Sequence, residues 1–276
     1  MRFTKMNGAG NDFILLDAIR QKLPSDDLPH MARVLLDRRR SIGADGLMVV
    51  TTSEKADCRM LFFNPDGTPG EMCGNGARCI CRYAFERGYA GETQSIETTA
   101  GIVTGVRIDR RNYRIRLNTP SVTRLDERLT VDGEPYSVCY VELGEPGIPH
   151  AVVELPGLEK TDERALLALG RKLRYHSAFP KGANVNFFEI TGNDEILEKT
   201  YERGVEDFTL ACGTGTGSVV AVLTLKGLAS GKNVRVRMAG GLLTVDAETE
   251  NGKITNLYLT GPTAMVAEGE ILDEEL

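Results

Sequence analysis

Two cysteines in the chain each stand directly before a glycine-rich turn. Cys73 is followed by 74–76 (GNG), and Cys212 is followed by 213–215 (GTG). Apolar residues at helical spacing follow both turns, so the pattern predicts a helix directly after each cysteine. The unpaired N–H groups and the positive dipole of a helix N-terminus favour a thiolate and can hold a carboxylate. Both effects can lower the pKa of a cysteine well below its free value.

The cysteine pattern belongs to a longer internal similarity. The spacing that separates Cys73 from Cys212 also separates 87–88 (RG) from 226–227 (KG), and 100–101 (AG) from 239–240 (AG). Three matches at one spacing predict an internal duplication. Each copy has the order cysteine, helix, glycine and strands.

The duplication and the apolar patterns predict an α+β fold of two similar domains. Each domain is expected to be a mostly antiparallel sheet wrapped around a central apolar helix, with the active site in the interdomain cleft. The predicted domains are 1–118 with 264–276, which carry Cys73, and 119–263, which carry Cys212. Residues 118–120 are the predicted linker, and the tail from 264 is predicted to return as a strand to the first domain.

Helix signals and apolar runs predict the remaining elements. Asp26 or Asp27 is expected to cap a helix that ends at about Arg39, and Thr161 or Asp162 a helix over 162–173. Residues 219–223 are apolar on nearly all sides, which is typical of a buried helix. Turn residues separate shorter apolar runs that predict strands in both halves.

The bulk composition excludes several classes of protein. The chain has 276 residues, 41% of them hydrophobic and 26% charged, as in ordinary globular domains. A net charge of −6 argues against a nucleic-acid partner, which needs a basic face. We see no signal peptide and no apolar run long enough to span a membrane. The protein is therefore expected in the cytoplasm, where its six cysteines are reduced.

Two cysteines at helix ends in duplicated halves suggest proton transfer at carbon. A thiolate would remove a proton from one face of a carbon atom, and a thiol would deliver a proton to the other face. Such a pair inverts the configuration of the carbon. The helix ends would bind the adjacent carboxylate and stabilise the negative charge that develops there.

The sequence resembles the diaminopimelate epimerase family over nearly its whole length. The resemblance rests on the motifs 5–13 (KMNGAGNDF), 43–46 (GADG), 64–67 (NPDG), 71–79 (EMCGNGARC), 201–207 (YERGVED) and 211–215 (ACGTG). It implies an isomerase of lysine and peptidoglycan precursor biosynthesis that works without pyridoxal phosphate or another cofactor. The implied reaction converts LL-2,6-diaminopimelate reversibly to the meso form, and the implied assembly is a homodimer.

By this resemblance, Cys73 and Cys212 are the acid/base pair. The implied substrate-binding residues are Asn11, Asn64, Gly74, Asn75, Asn184, Glu202, Arg203, Gly213 and Thr214. A planar guanidinium suits the distal carboxylate of a diamino diacid, and a carboxylate suits its ammonium group. His150, Gly46 and Phe208 are candidates for positions next to the site.

The sequence departs from the family pattern near the expected pocket. Ile148 stands where many relatives have an asparagine before Pro-His, and Phe208 stands where a polar residue is common. Residues 217–218 (GS) replace a frequent pair of small apolar residues. These differences affect the expected identity of the substrate, and they leave the two-cysteine chemistry unchanged.

Other patterns have simpler explanations. The spacing of Cys73, Cys79 and Cys81 fits no common zinc site, so no metal is expected. Glycines at 213–217 lack the Gly-Lys-Ser/Thr of a phosphate loop, and no lysine is singled out for pyridoxal phosphate. The remaining cysteines are expected to be buried and inert; they are Cys58, Cys79, Cys81 and Cys139.

Two other functions stay open from the sequence. The first is a related cofactor-independent racemase or epimerase that acts on histidine, proline or hydroxyproline. Asn64, Asn184 and Arg203 argue against it, since they suit a substrate with a distal carboxylate. The second is a non-catalytic binding protein on the same scaffold, against which the presence of both cysteines argues.

Overall fold

The computed structural model describes residues 1–23, 27–70 and 73–272. Over these residues the chain is an α+β protein with many strands and four α-helices, which confirms the predicted class. It divides into two compact units, which we call unit 1 (Met1–Ile115 with Gly261–Leu276) and unit 2 (Arg116–Thr260). None of the described helices is long and apolar enough to cross a membrane.

Unit 1 is a mixed sheet with a helix on each face. Its elements are β1 (Arg2–Gly8), β2 (Asn11–Asp17), α1 (Leu28–Leu35), β3 (Gly46–Thr51), β4 (Cys58–Phe63), α2 (Gly74–Arg87), β5 (Thr93–Thr98), β6 (Gly101–Arg107), β7 (Asn112–Leu117) and β17 (Ala264–Glu270).

The strands of unit 1 pair in the order β17-β1-β2-β3-β4-β5-β6-β7. The pairs β2/β3 and β4/β5 are parallel, and the others are antiparallel. A parallel pair needs a crossover connection, and the helices α1 and α2 provide the two crossovers. Helix α1 packs on one face, where Met31 and Leu35 join Ile14 and Leu47 in a buried cluster. Helix α2 contacts β1, β2, β5 and β6.

Unit 2 has its own mixed sheet and helices. Its elements are β8 (Pro120–Val131), β9 (Glu134–Leu143), β10 (Ile148–Glu154), a 3-10 turn (Leu158–Lys160), α3 (Glu163–Arg174), β11 (Asn184–Gly192), β12 (Glu195–Glu202), β13 (Asp207–Thr209), α4 (Gly213–Leu225), β14 (Val234–Met238), β15 (Gly241–Glu250) and β16 (Lys253–Pro262).

The strands of unit 2 pair in the order β8-β9-β10-β11-β12-β14-β15-β16, with β13 also on β12. The pairs β10/β11 and β12/β14 are parallel, and the others are antiparallel. Helix α3 covers the face that carries Val153, Val185 and Tyr201. Helix α4 contacts β9, β10, β11 and β15, and its apolar residues 219–223 are buried, as the sequence predicted.

The predicted helices differ from the observed ones mainly at their ends. Helix α1 ends at Leu35 rather than at Arg39, because the chain turns and Arg38 pairs with Asp12 and Asp45 at 2.6 and 2.7 Å. Asp27 caps α1 by accepting from the N–H of His30, and the alternative cap Asp26 lies outside the described residues.

Helix α3 agrees more closely with its prediction. It runs over Glu163–Arg174, and the side chain of Asp162 accepts from the N–H of Ala165 at 2.9 Å. Of the two caps that the sequence offered, Asp162 is therefore the one that the structure uses.

The sequence analysis did not predict two of the strands, β8 and β13. Pro120, placed in a linker, is the first residue of β8, which pairs antiparallel with β9. Most side chains of β8 are exposed, so its sequence lacks the apolar alternation that predicts a strand. The three-residue strand β13 is too short for any pattern.

Candidate active site

Cys73 is the N-cap residue of helix α2. Its backbone is extended (φ −114°, ψ 116°), and its Sγ atom accepts from the N–H of Gly76 at 3.5 Å. Gly74 and Asn75 are the first two residues of the helix. The thiol is half-buried, whereas the other five cysteines are buried. The predicted position of Cys73 at a helix N-terminus is confirmed.

A chain of polar side chains holds the first turn of α2. Asn75 donates from Nδ2 to Oδ1 of Asn11 at 2.5 Å, and Asn11 donates to Asp45 at 3.1 Å. The guanidinium of Arg78 donates to Oδ1 of Asn75 at 2.6 Å. Two predicted substrate-binding residues, Asn11 and Asn75, are therefore in direct contact.

Arg78 was assigned no role from the sequence. Its side chain is fully buried, and burial lowers the pKa of its guanidinium. Helical spacing was the available signal, because a residue three positions after Asn75 lies on the same side of the helix.

Two other predicted residues of unit 1 have local structural partners. Asn64 donates from Nδ2 to the hydroxyl of Thr68 at 3.0 Å within its own turn. Gly46 is the first residue of β3, and a Cβ atom there would lie 2.3 Å from the ring of Phe62. Close packing against Phe62 is thus sufficient reason for glycine at this position.

Cys212 is the N-cap residue of helix α4. Its backbone is extended (φ −121°, ψ 104°), its side chain is 8% exposed, and its Sγ atom lies 3.6 Å from Oγ1 of Thr214. Gly213 and Thr214 open the helix, as predicted.

At Cys212 the helix N-terminus does not lower the pKa of the thiol. Burial raises this pKa, and the nearby charge of Glu202 raises it further, which outweighs the hydrogen bonds to Thr214 and to the N–H of Gly215. Desolvation disfavours a thiolate more than the helix end favours it. Cys212 therefore rests as a thiol, the form that can deliver a proton.

Asn184 and Arg203 also meet in unit 2. Oδ1 of Asn184 accepts from the backbone N–H of Arg203 at 2.8 Å, and Nδ2 donates to the carbonyl of Pro149 at 3.3 Å. The guanidinium of Arg203 donates to the carbonyl of Lys181 at 3.2 Å. Glu202 is the last residue of β12.

Phe208 lies in β13 and packs against aromatic rings. Its ring centroid is 6.4 Å from that of Phe187 and 6.1 Å from that of Tyr201. The departure from the family pattern at this position thus has a packing explanation within unit 2.

A buried polar network lies beneath the first turn of α4. His150 is fully buried and its pKa is lowered to about 3, mainly by burial, so the ring is neutral. Its Nδ1 atom lies 3.2 Å from Nδ2 of Asn186, whose Oδ1 accepts from Thr200 at 3.1 Å. Thr200 also contacts Glu198, and Glu198 contacts Thr216 in α4.

The sequence predicted a position next to the site for His150, and it predicted none of the other residues of this network. The available signal was the alternation of β12. Glu198 and Thr200 occupy positions on the face opposite to Leu197 and Tyr201, and both faces are buried. Polar residues at buried strand positions need partners, which indicates a network.

Gly215 gives α4 its close approach to the network. A Cβ atom at this position would lie 2.2 Å from Oδ1 of Asn186 and 3.2 Å from Oγ1 of Thr200. We expect Gly215→Ala to lower the free energy of unfolding by about 2 kcal/mol, since the buried amide must move. Urea unfolding monitored by circular dichroism measures the change. Gly91→Ala is the control, because nothing lies within 4 Å of its Cβ position. Equal stability of both variants would contradict the expectation.

Among the described residues, no three His, Cys, Asp or Glu side chains are grouped so that they could hold a metal ion. The groups next to the two cysteines are the N–H groups of two helix N-termini, the amide of Asn75, the hydroxyl of Thr214 and the carboxylate of Glu202. Such groups bind a carboxylate and an ammonium group rather than a metal ion.

Solved structures share the fold of the chain. A Bacillus anthracis phenazine biosynthesis protein of the PhzF family matches with a TM-score of 0.74 at 18% identity over 99% of both chains. A probable proline racemase from Agrobacterium radiobacter matches with a TM-score of 0.70 at 20% identity, over 99% of this chain and 93% of the other. The class defined in this way is the fold that PhzF-type proteins and proline racemases share.

Sequence comparison identifies the family within that class. A family profile described as diaminopimelate epimerase matches residues 3–124 and 144–266. Proteins named diaminopimelate epimerase from Methanothrix thermoacetophila and Aquifex aeolicus are both 38% identical to the chain, over all of it and over 98% and 99% of their own lengths. The relative of that name from Archaeoglobus fulgidus is 37% identical over 99% of the chain and 97% of its own length. The chain belongs to the diaminopimelate epimerase family.

Proposed function

We propose that the protein epimerises LL-2,6-diaminopimelate reversibly to meso-diaminopimelate, a reaction of lysine and peptidoglycan precursor biosynthesis. The observation that carries this function is the match to diaminopimelate epimerases along the full length of the chain. The enzyme is an isomerase. The placement of Cys73 and Cys212 as helix N-caps supports the chemistry.

The proposed mechanism is a two-base proton transfer at the α-carbon. The Cys73 thiolate takes the α-proton and becomes a thiol, and the electron pair of the broken C–H bond stays on the carbon beside its carboxylate. The Cys212 thiol gives its proton to the opposite face and becomes a thiolate. Total charge is conserved, configuration is inverted, and the reverse reaction exchanges the two roles. Burial, which keeps Cys212 protonated, supports its role as the donor in this direction.

The proposed binding groups divide by their chemistry. Backbone N–H groups of Gly74, Asn75, Gly213 and Thr214 hold the α-carboxylate and stabilise the charge that develops beside it. Arg203 binds the distal carboxylate, and Glu202 accepts from an ammonium group. The side chains of Asn11, Asn64 and Asn184 complete the set. The contacts of Asn11 with Asn75 and of Asn184 with Arg203 support this assignment.

The domain organisation is also part of the proposal. We propose that 1–118 with 264–276 and 119–263 are duplicated halves, each with one catalytic cysteine on its central helix. The sequence of parallel and antiparallel strand pairs is the same in unit 1 and unit 2, which supports a duplication. The interdomain position of the active site stays a prediction from the sequence. A cytoplasmic homodimer without pyridoxal phosphate is proposed from the family resemblance.

Proton exchange in heavy water tests this function. The purified, reduced protein should replace the α-proton of LL-diaminopimelate by deuterium and form the meso isomer, both followed by NMR. Adding pyridoxal phosphate should not change the rate. Exchange with histidine, proline or hydroxyproline but not with diaminopimelate would overturn the proposed substrate. The absence of exchange with any of these amino acids would overturn the proposed chemistry.

A further inference from the structure

The first turn of α4 contacts a buried carboxyl group. Glu198 of β12 is 1% exposed, with Oε2 2.8 Å from the hydroxyl of Thr216 and Oε1 3.1 Å from that of Thr200. The Thr216 hydroxyl also lies 3.0 Å from the backbone carbonyl of Cys212. Thr216 therefore connects the carboxyl of Glu198 to the backbone of Cys212.

The network has fewer hydroxyl protons than acceptor atoms. Thr200 and Thr216 each have one hydroxyl proton, and their hydroxyls contact both oxygens of Glu198, Oδ1 of Asn186 and the carbonyl of Cys212. Asn186 directs Nδ2 toward His150 and Oδ1 toward Thr200, so Thr200 faces an atom that accepts and cannot donate. A carboxylate at Glu198 would draw both hydroxyl protons to itself. A neutral acid has a proton of its own to donate, which leaves Thr216 free to donate elsewhere.

We propose that Glu198 is a positioning residue for Cys212: as a neutral acid it donates to Thr216, and Thr216 then donates to the carbonyl of Cys212. This inference rests on the proposed role of Cys212 as an acid/base group. In this state the carbonyl of Cys212 accepts from the Thr216 hydroxyl. It also accepts from the backbone N–H of Thr216, whose nitrogen lies 2.9 Å from the carbonyl oxygen. Both bonds fix the residue that carries the thiol.

The surroundings of Glu198 favour the neutral acid. Strand alternation places the charged residues Lys199, Arg235 and Arg237 on the sheet face opposite to Glu198. Among the described residues, strand register and contacts place a further set of titratable groups on the α4 side of the sheet: Cys139, His150, Glu154, Glu202, Cys212 and, at the C-terminal end of α4, the ion pair of Lys226 with Asp126. Burial raises the pKa of Glu198 to about 7, against the opposing effect of the bonds from Thr216 and Thr200.

Ionisation of Glu198 would act on Cys212 in two ways. The carboxylate would withdraw the Thr216 proton from the Cys212 carbonyl. Its charge would also raise the pKa of the Cys212 thiol, as the charge of Glu202 does. The reactivity of Cys212 should therefore rise less steeply with pH once Glu198 loses its proton.

Alkylation of single cysteines measures this effect without diaminopimelate turnover. Wild type and Glu198→Gln are treated with iodoacetamide across a pH series, and the rate at Cys212 is read by peptide mass spectrometry. The glutamine keeps an N–H donor for Thr216 and cannot ionise. The variant and wild type should react at equal rates at about pH 6, and the variant about three- to tenfold faster at about pH 8.5. Cys73 in the same samples is the internal reference and should show no such difference.

The outcomes separate the inference from the proposed function. A variant-to-wild-type ratio at Cys212 that stays constant across the pH series would overturn the inference, even if diaminopimelate is epimerised. A ratio that rises with pH while diaminopimelate is not epimerised would support the inference and overturn the proposed function. If Glu198→Gln does not fold, the wild-type profile alone decides, since it should flatten near the pKa of Glu198.

A second pair of variants tests the connection through Thr216. Thr216→Ser keeps the hydroxyl and should keep the wild-type pH profile of Cys212. Thr216→Val removes the hydroxyl, so the rate at Cys212 should lose the part of the flattening near neutral pH that Thr216 transmits and keep only the part that comes from the charge of Glu198. Identical profiles for Ser and Val would show that Thr216 does not transmit the state of Glu198, which would overturn the inference.

Discussion

Replacing Cys73 or Cys212 with alanine should lower kcat for diaminopimelate epimerisation by at least about 10³-fold, because each variant lacks one of two proton-transfer groups. Both cysteines occupy N-cap positions, and the helices that follow them are buried along most of their length. Alanine can adopt the extended backbone of both positions, so the fold should be retained. An NMR assay of the LL and meso isomers measures the activity, and circular dichroism checks the fold.

Deuterium exchange makes the same variants more informative. With one acid/base group left, a variant can return a solvent deuteron only to the face from which it took the proton. Each variant should therefore exchange the α-proton of one configuration slowly and with retention, while inversion is lost. Inversion at a near-normal rate in either variant would rule out the two-base mechanism.

A matched control comes from the other cysteines. Cys139 is a buried cysteine in unit 2, and burial raises the pKa of its thiol. Cys139→Ala should cost some stability through lost packing, with kcat within about twofold of wild type. A loss of activity in this control as large as that in Cys212→Ala would indicate a general effect of cysteine removal rather than loss of an acid/base group.

The parts of the site that the sequence predicted are local in the chain. A cysteine, a glycine-rich turn and an apolar run lie within a few residues of each other, and together they determine a helix and its cap. This is why the N-cap positions of Cys73 and Cys212 could be predicted. Asn184 and Arg203, which meet at the start of β11 and just after β12, were named only through the family resemblance, and their contact was not predicted.

The parts that were missed depend on which side chains meet after folding. Glu198 and Thr216 lie in a strand and a helix, and no pattern in either segment says that they touch. The raised pKa of Cys212 could not be predicted for the same reason. A helix N-terminus can be recognised in a sequence, but the burial of one thiol depends on every element packed around it. Strand β8 was missed because its exposed residues show no apolar alternation.

The buried acid also predicts how stability depends on pH. Folding raises the pKa of Glu198 from 4.5 to about 7, so between these values the folded protein holds a proton that the unfolded chain has lost. The contribution of Glu198 to stability is therefore complete below about pH 4.5 and is lost as pH rises toward 7. A pKa change of this size corresponds to a loss of about 3 kcal/mol in the free energy of unfolding.

Glu198→Gln should remove this loss, because the amide does not titrate. At about pH 5 the variant and wild type should unfold at similar urea concentrations, and at about pH 8 the variant should be more stable by about 3 kcal/mol. Other titrating groups are common to both proteins and cancel in the comparison. Glu154→Gln, which replaces an exposed glutamate on the same side of the sheet, is the control for the removal of one carboxyl group. If Glu198→Gln differs from wild type equally at both pH values, the carboxyl of Glu198 does not stay protonated in the folded protein, and its donation to Thr216 near neutral pH is excluded.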